Sequence, residues 1–156
     1  MLRNADLDIG EIDLVITDST YSMGEHQPRE ESERELVNFA NVVVERGGVC
    51  FVPAFSVERA QEIACVLKDA NFKHDVVMDG MALKVNSIMS KYPAFLKDPK
   101  LFSDAITAAK WISGWSERKK AAKKPCVVIS PAGMLVGGAG VFYLQQVAKG
   151  EKNGIA

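Results

Sequence analysis

The chain has 156 residues, 47% of them hydrophobic and 25% charged. This is the make-up of one soluble globular domain, burying on the order of 70% of the surface its unfolded chain would expose. Such a core excludes dependence on a disulfide or structural metal, and the formal net charge of −1 excludes an overall basic field, so any nucleic-acid surface has to be a local patch or be completed by another domain.

Leu14 to Thr17 is a short apolar, β-branched run closed by Asp18-Ser19-Thr20, which reads as a buried strand and a turn. From Pro28 the pattern turns helical. Glu30 and Glu31 lie in the first turn, Leu36, Phe39, Ala40, Val43 and Val44 recur at helical spacing, and Arg46-Gly47-Gly48 supplies the stop. Val49 to Val52 is a second strand, ending at Pro53. Ser56 is placed to cap a helix with the stripe Val57, Ala60, Ile63, Ala64 and Leu67. Val76 to Met78 is a third strand, followed by Asp79-Gly80 and a helix from about Met81 to Lys91 that Pro93 stops. Between Ala94 and Lys124 only a short strand over Lys110 to Ser113 and a polar helix over Ser116 to Lys124 are expected. Cys126 to Ile129 is the last strand. A loop with Gly133, Gly137, Gly138 and Gly140 then leads to an amphipathic helix running through Lys149.

Strand and helix alternating at this spacing define βαβ units: an α/β fold with a mostly parallel sheet flanked by helices on both faces. Ligands of such sheets bind outside the carboxyl ends of the strands. That rule gathers Asp18, Pro53 to Arg59, Asp79-Gly80 and Ser130 to Gly140 into one candidate edge.

The glycine loop can hold phosphate, because glycines let backbone N–H groups approach an anion at a helix N-terminus. It meets neither the Walker spacing nor G-x-G-x-x-G, and as a bare loop it reads first as a tight strand-to-helix connection and only second as a phosphate site. Asp18 suits either a turn cap or a cleft carboxylate. Arg59 lies in a first helical turn, where a cation is unfavourable unless a neighbouring acid or a bound phosphate compensates it. Arg118, Lys119, Lys120, Lys123 and Lys124 read as a solvated helix face ahead of a nucleic-acid patch, and Trp111 and Trp115 as core residues ahead of a surface for stacking bases. Zinc-ligand spacing is missing: His26 and His74 stand far apart, and Cys50, Cys65 and Cys126 form no C-x-x-C. Buried thiols in a reducing cytosol account for the cysteines. Neither a signal-peptide core nor a span of ~20 apolar residues is present, so the expected location is cytoplasmic.

Five segments, in order, resemble the β-CASP domain inserted in metallo-β-lactamase-fold nucleases. They are Ile16 to Tyr21, the Gly47-Gly48 turn, Val52 to Glu62, Asp79 to Ala82, and Gly133 to Gly138. Such nucleases include the cleavage and polyadenylation specificity factor endonuclease, its archaeal homologues and RNase J, and the archaeal members are the most similar. The resemblance covers nearly the whole chain. It implies a single Rossmann-like β-CASP domain over residues 1–156, excised from a larger nuclease. Asp18 matches the acidic position near the zinc pair that helps order a histidine, which assigns it to catalysis. Arg59, Ser130 and Gly133 match the wall of the cleft where RNA phosphates are expected. The rest of that glycine loop, Gly137 and Gly138, and His26 in the loop after Asp18, are assigned to RNA contact with them. Ser22, Glu58 and Ala139 depart from the family pattern, and Glu58 stands where glycine commonly precedes the arginine.

The same resemblance implies zinc in the intact enzyme, bound by the lactamase-fold part of the same polypeptide, and none in this fragment, which alone should cut nothing. Single-stranded RNA is the implied partner, a membrane is not, and a homodimer is left open. Two alternatives stay open beside a zinc-dependent ribonuclease of RNA processing or decay: a nucleotide-binding or regulatory α/β module, and a non-catalytic scaffold of an RNA-processing complex.

Overall fold

The computed structural model describes residues 1–4, 8–20, 22–131 and 137–156. In chain order the elements are α1 (Arg29–Glu45), β1 (Val49–Ala54), α2 (Arg59–Asp69), β2 (Val76–Met78), α3 (Ala82–Met89), a 3-10 turn (Pro93–Phe95), α4 (Pro99–Ala108), β3 (Lys110–Trp111), α5 (Trp115–Ala121), β4 (Cys126–Pro131), α6 (Gly138–Val147) and β5 (Gly154–Ile155). The strands form one sheet in the order β3-β2-β4-β1-β5, and every pairing is parallel. The expected α/β architecture is the one observed.

Central strands β1 and β4 are apolar except for Ser130 of β4, because a parallel sheet covered on both faces gives them no wet side. Alternate residues serve alternate layers. Cys50, Val52, Val127, Ile129 and Met78 join the cluster formed with α1, α2 and α4. Val49, Phe51, Val77, Cys126 and Val128 join a second cluster with Ala121 of α5 and Tyr143 and Val147 of α6.

Several expectations are corrected. Leu14 to Thr17 forms no strand, and Leu14, Val15 and Ile16 are 74%, 64% and 90% exposed. No described strand runs beside this segment, so its β-branched residues have nothing to pair with or pack on. Strand β1 does not end at Pro53. Phe51 O accepts from Ala156 N at 3.0 Å, so Pro53, two residues on, turns its missing N–H to the same side, beyond the end of β5, and no ladder bond is lost. Ser56 is not the cap of α2. The N-cap is Glu58, without a side-chain cap bond, while the Ser56 carbonyl accepts from Gln61 Nε2 at 3.1 Å. Val57, placed on the buried stripe, is 65% exposed. Trp111 and Trp115 are surface residues rather than core, at 42% and 60% exposure.

Candidate nucleic-acid interface

The carboxyl ends of β1, β2 and β4 lie side by side, because Val52 pairs with Ile129 and Ile129 with Met78. Asp79 N extends that ladder by donating to Ile129 O at 3.1 Å. Gly80 is needed there twice over. Its φ is 73°, and a Cβ on it would lie 3.1 Å from Pro131 Cδ.

Arg59, Ser130, Gly137 and Gly138 all come from segments at this edge: Arg59 opens α2 after β1, Ser130 closes β4, and the two glycines open α6. Ser130 belongs to the strand, not to a loop. It is fully buried, and its Oγ has no hydrogen-bond partner among the described residues, an arrangement that ordinarily calls for a ligand or water. Helix α6 starts without a side-chain cap bond, so its first N–H groups are left to other partners. Gly138 has a φ of 76°, which favours glycine. Gly137 is extended and makes no such demand. Gly133 lies outside the described residues, as do Tyr21 and residues 134–136 of the matching segments.

Arg59 is exposed, and its Nη1 is bonded to Glu62 Oε2 at 2.6 Å. Glu62 also holds Arg29 Nη1 at 2.8 Å. Burial opposes ionisation of Glu62, but the bonds from Arg59 and Arg29 outweigh it and keep its carboxyl below the usual glutamate range. The neighbouring acid thus answers why a cation sits in this first turn. Arg59 is the exposed member of this pair, and Glu62 keeps its bond to Arg29 when Arg59 turns to another anion.

Asp18 and His26 lie on the exposed segment before α1. Asp18 Oδ1 accepts from Thr20 Oγ1 at 2.6 Å and from Thr20 N at 3.2 Å, and the Thr20 hydroxyl and amide hold its carboxyl below the ordinary aspartate range. In this structure it serves as a turn cap.

Sequence reasoning placed Asp79 at this edge without giving it a role, and it is the most constrained polar group there. Asp79, 1% exposed, accepts from Gly80 N at 2.6 Å and Arg118 Nη2 at 2.8 Å on Oδ1, and from Arg118 Nε at 2.5 Å and Tyr143 OH at 2.9 Å on Oδ2. Asp79 raises the Arg118 pKa above the ordinary arginine value. Burial first, and then the Asp79 charge, push the Tyr143 phenol far up. Both therefore keep their protons at neutral pH, and the cluster fastens α5 and α6 to the end of β2 rather than moving protons. One signal was legible: Arg118 is the single arginine in a run of lysines, and arginine is the cation suited to a two-toothed bond with a buried carboxylate.

Among the described residues no group of three or more His, Cys, Asp or Glu side chains could hold a metal ion. His74 Nε2 stands 4.0 Å from Glu45. The three cysteines are buried, their thiols pushed up by that burial to about 11, 11 and 12 for Cys50, Cys65 and Cys126. These donors do not fit a zinc site. Among the described residues no helix is long and apolar enough to cross a membrane.

The fold is an open parallel α/β sheet whose carboxyl edge carries a buried serine hydroxyl without a partner among the described residues and a helix start without a side-chain cap. The chain belongs to the Beta-Casp domain family, whose model matches residues 60–156. It is 34% identical over 99% of its length to RNase aCSPSF2 of Saccharolobus solfataricus, and 33% identical over 99% to the probable RNase MJ4 of Methanocaldococcus jannaschii. Similarity of the same order, 34% over 92% of the chain, links it to the transcription termination factor FttA of the latter organism. The chain spans 32%, 38% and 25% of the lengths of these three relatives.

Proposed function

We propose that this chain is the RNA-clamping domain of a larger zinc-dependent ribonuclease, in which the strand's phosphates rest on the carboxyl edge of the sheet. The observation that carries the reading is the buried Ser130 hydroxyl without a described partner, at the same edge of the sheet as a helix α6 that begins without a side-chain cap bond. A phosphate oxygen accepts from both kinds of donor. Family membership and relatives named as RNases support RNA as the polyanion.

In this reading Arg59 exchanges Glu62 for a phosphate, with its planar donor fork at the start of α2. Gly137, Gly138 and His26 line the same path, and Gly133 is assigned to RNA contact by its match to the family segment alone. Asp18 orders a histidine of the lactamase-fold part, which holds the zinc, and the Thr20 turn pre-sets its ionised carboxylate. The chain's own contribution is binding and orientation. Relatives named as transcription termination factors favour a second setting for the same clamp, one in which the RNA held is a transcript at termination.

Binding of single-stranded RNA across a series of salt concentrations tests the clamp. Arg59→Ala should weaken binding and lower the slope of log affinity against log salt by about one, for one lost phosphate contact. An unchanged affinity and slope would leave Arg59 as the partner of Glu62 alone.

A further inference from the structure

Ten residues from Trp115 to Lys124 carry five cations and one acid, in a chain whose net charge is −1. The remaining residues therefore total −5, fourteen cations against nineteen acids. The acids gather in the other layer. Glu30 and Glu33 of α1, Glu62 and Asp69 of α2, and Asp98 line one groove of about 680 Å³, where they outnumber Arg29, Lys97 and the terminal amine of Met1, and these helices pack on the sheet face opposite α5 and α6. One face repels a polyanion and the other draws it in.

The basic face is not a uniform solvated helix. Arg118 is turned inward and engaged by Asp79. Glu117, the single acid, is engaged by Ser113, accepting from its N at 2.8 Å and its Oγ at 3.0 Å. Lys119, Lys120, Lys123 and Lys124 are exposed, and among the described residues none of them is in an ion pair. Beside them stands an aromatic platform. Trp115 lies T-shaped to Phe142 at 5.4 Å, with the Arg118 guanidinium 4.8 Å from its ring centroid. It is held on two sides yet stays 60% exposed. Burying so large an aromatic would normally stabilise a fold by a wide margin, so an indole fixed in place at the surface is suited to receiving a partner.

We propose that α5 and the turn after it, through Trp115, Lys119, Lys120, Lys123 and Lys124, form a second contact surface for single-stranded RNA. This surface takes the strand as it leaves the carboxyl edge of the sheet. The inference rests on the RNA-clamping reading above for the identity of the polyanion. Continuity supports the path: β3 ends at Trp111 on that same edge, three residues lead into α5, and Arg118 ties the helix to Asp79. Lysines track a backbone, and an exposed indole stacks on a base of any identity. A duplex keeps its bases stacked inside and offers none to Trp115.

The test is binding of a fluorescent, unstructured oligoribonucleotide to the protein over a range of salt concentrations. Changing all four lysines to glutamine alters exposed side chains alone, and should lower the salt slope by about three. Trp115→Ala should weaken binding roughly ten-fold with little change in slope. If the lysine variant keeps both affinity and slope while Arg59→Ala weakens binding, this surface is wrong and the edge reading stands. Weaker binding by the lysine variant with Arg59→Ala silent upholds this surface and removes Arg59 from the edge, and no RNA binding by the unaltered protein removes both. Equal competition by duplex RNA of the same length, or by polyglutamate, would also overturn a single-stranded RNA surface.

Discussion

Glu58 has φ 68° and ψ −56°, close to the γ-turn region that a side chain rarely occupies, and Arg59 N closes the turn by donating to Val57 O at 2.8 Å. This is the position where the resembling family commonly has glycine, so the departure has a physical content: a residue with a Cβ sits where glycine would be unstrained. The strain falls on the residue that aims Arg59. Strain of this kind costs about 1–3 kcal/mol, and part of what glycine relieves is returned through the freer unfolded chain. Glu58→Gly should therefore stabilise the protein by about 1 kcal/mol, seen as a higher urea midpoint with an unchanged slope. A lower midpoint would mean that the Glu58 carboxylate makes a contact worth more than the strain.

Asp79, Arg118 and Tyr143 join three elements that are distant in sequence, and their variants should rank by what is left behind. Arg118→Met strands a buried carboxylate and should destabilise by about 3 kcal/mol or more. Tyr143→Phe removes one of several bonds to the same carboxylate and should cost about 1 kcal/mol. Urea unfolding of both variants and of the double variant measures this, and additive effects would show that the two bonds do not share one acceptor in practice. This cluster also marks how far the sequence could be read. Elements with a clear period and punctuation, α1, α2, β1 and β4, were legible, and so was the edge that carries Arg59 and Ser130. Helix α4 was not. It has a proper start in Asp98, whose side chain accepts from Leu101 N, and in Pro99, but it passes through Ala109 straight into β3 with no glycine to mark its end. The run at Leu14 misled for the opposite reason, since period and β-branching report that a segment can form a strand, not that a neighbour is there to pair with it. Long-range pairs such as Asp79 with Arg118 leave almost no local trace.

Two cores share one sheet. In β1 Cys50 faces the α1 and α2 layer while Phe51 faces α6, and in β4 Val127 and Val128 divide in the same way. Stripping either layer of helices would expose one side of the same two strands, so neither core has a cheap way to open alone. The three thiols report on this directly. Cys50 and Cys65 lie in the first cluster and Cys126 in the second, all buried and all held far above the pKa at which a free thiol reacts. A disulfide reagent at about pH 8 should label none of them in the native protein, because the thiolate is scarce and out of reach. With rising urea all three should become reactive together, along the same curve as the loss of helix signal, as expected of a single cooperative unit. Labelling of Cys126 at clearly lower urea than Cys50 and Cys65 would show instead that the α5 and α6 layer, with its lysines and Trp115, opens as a unit of its own.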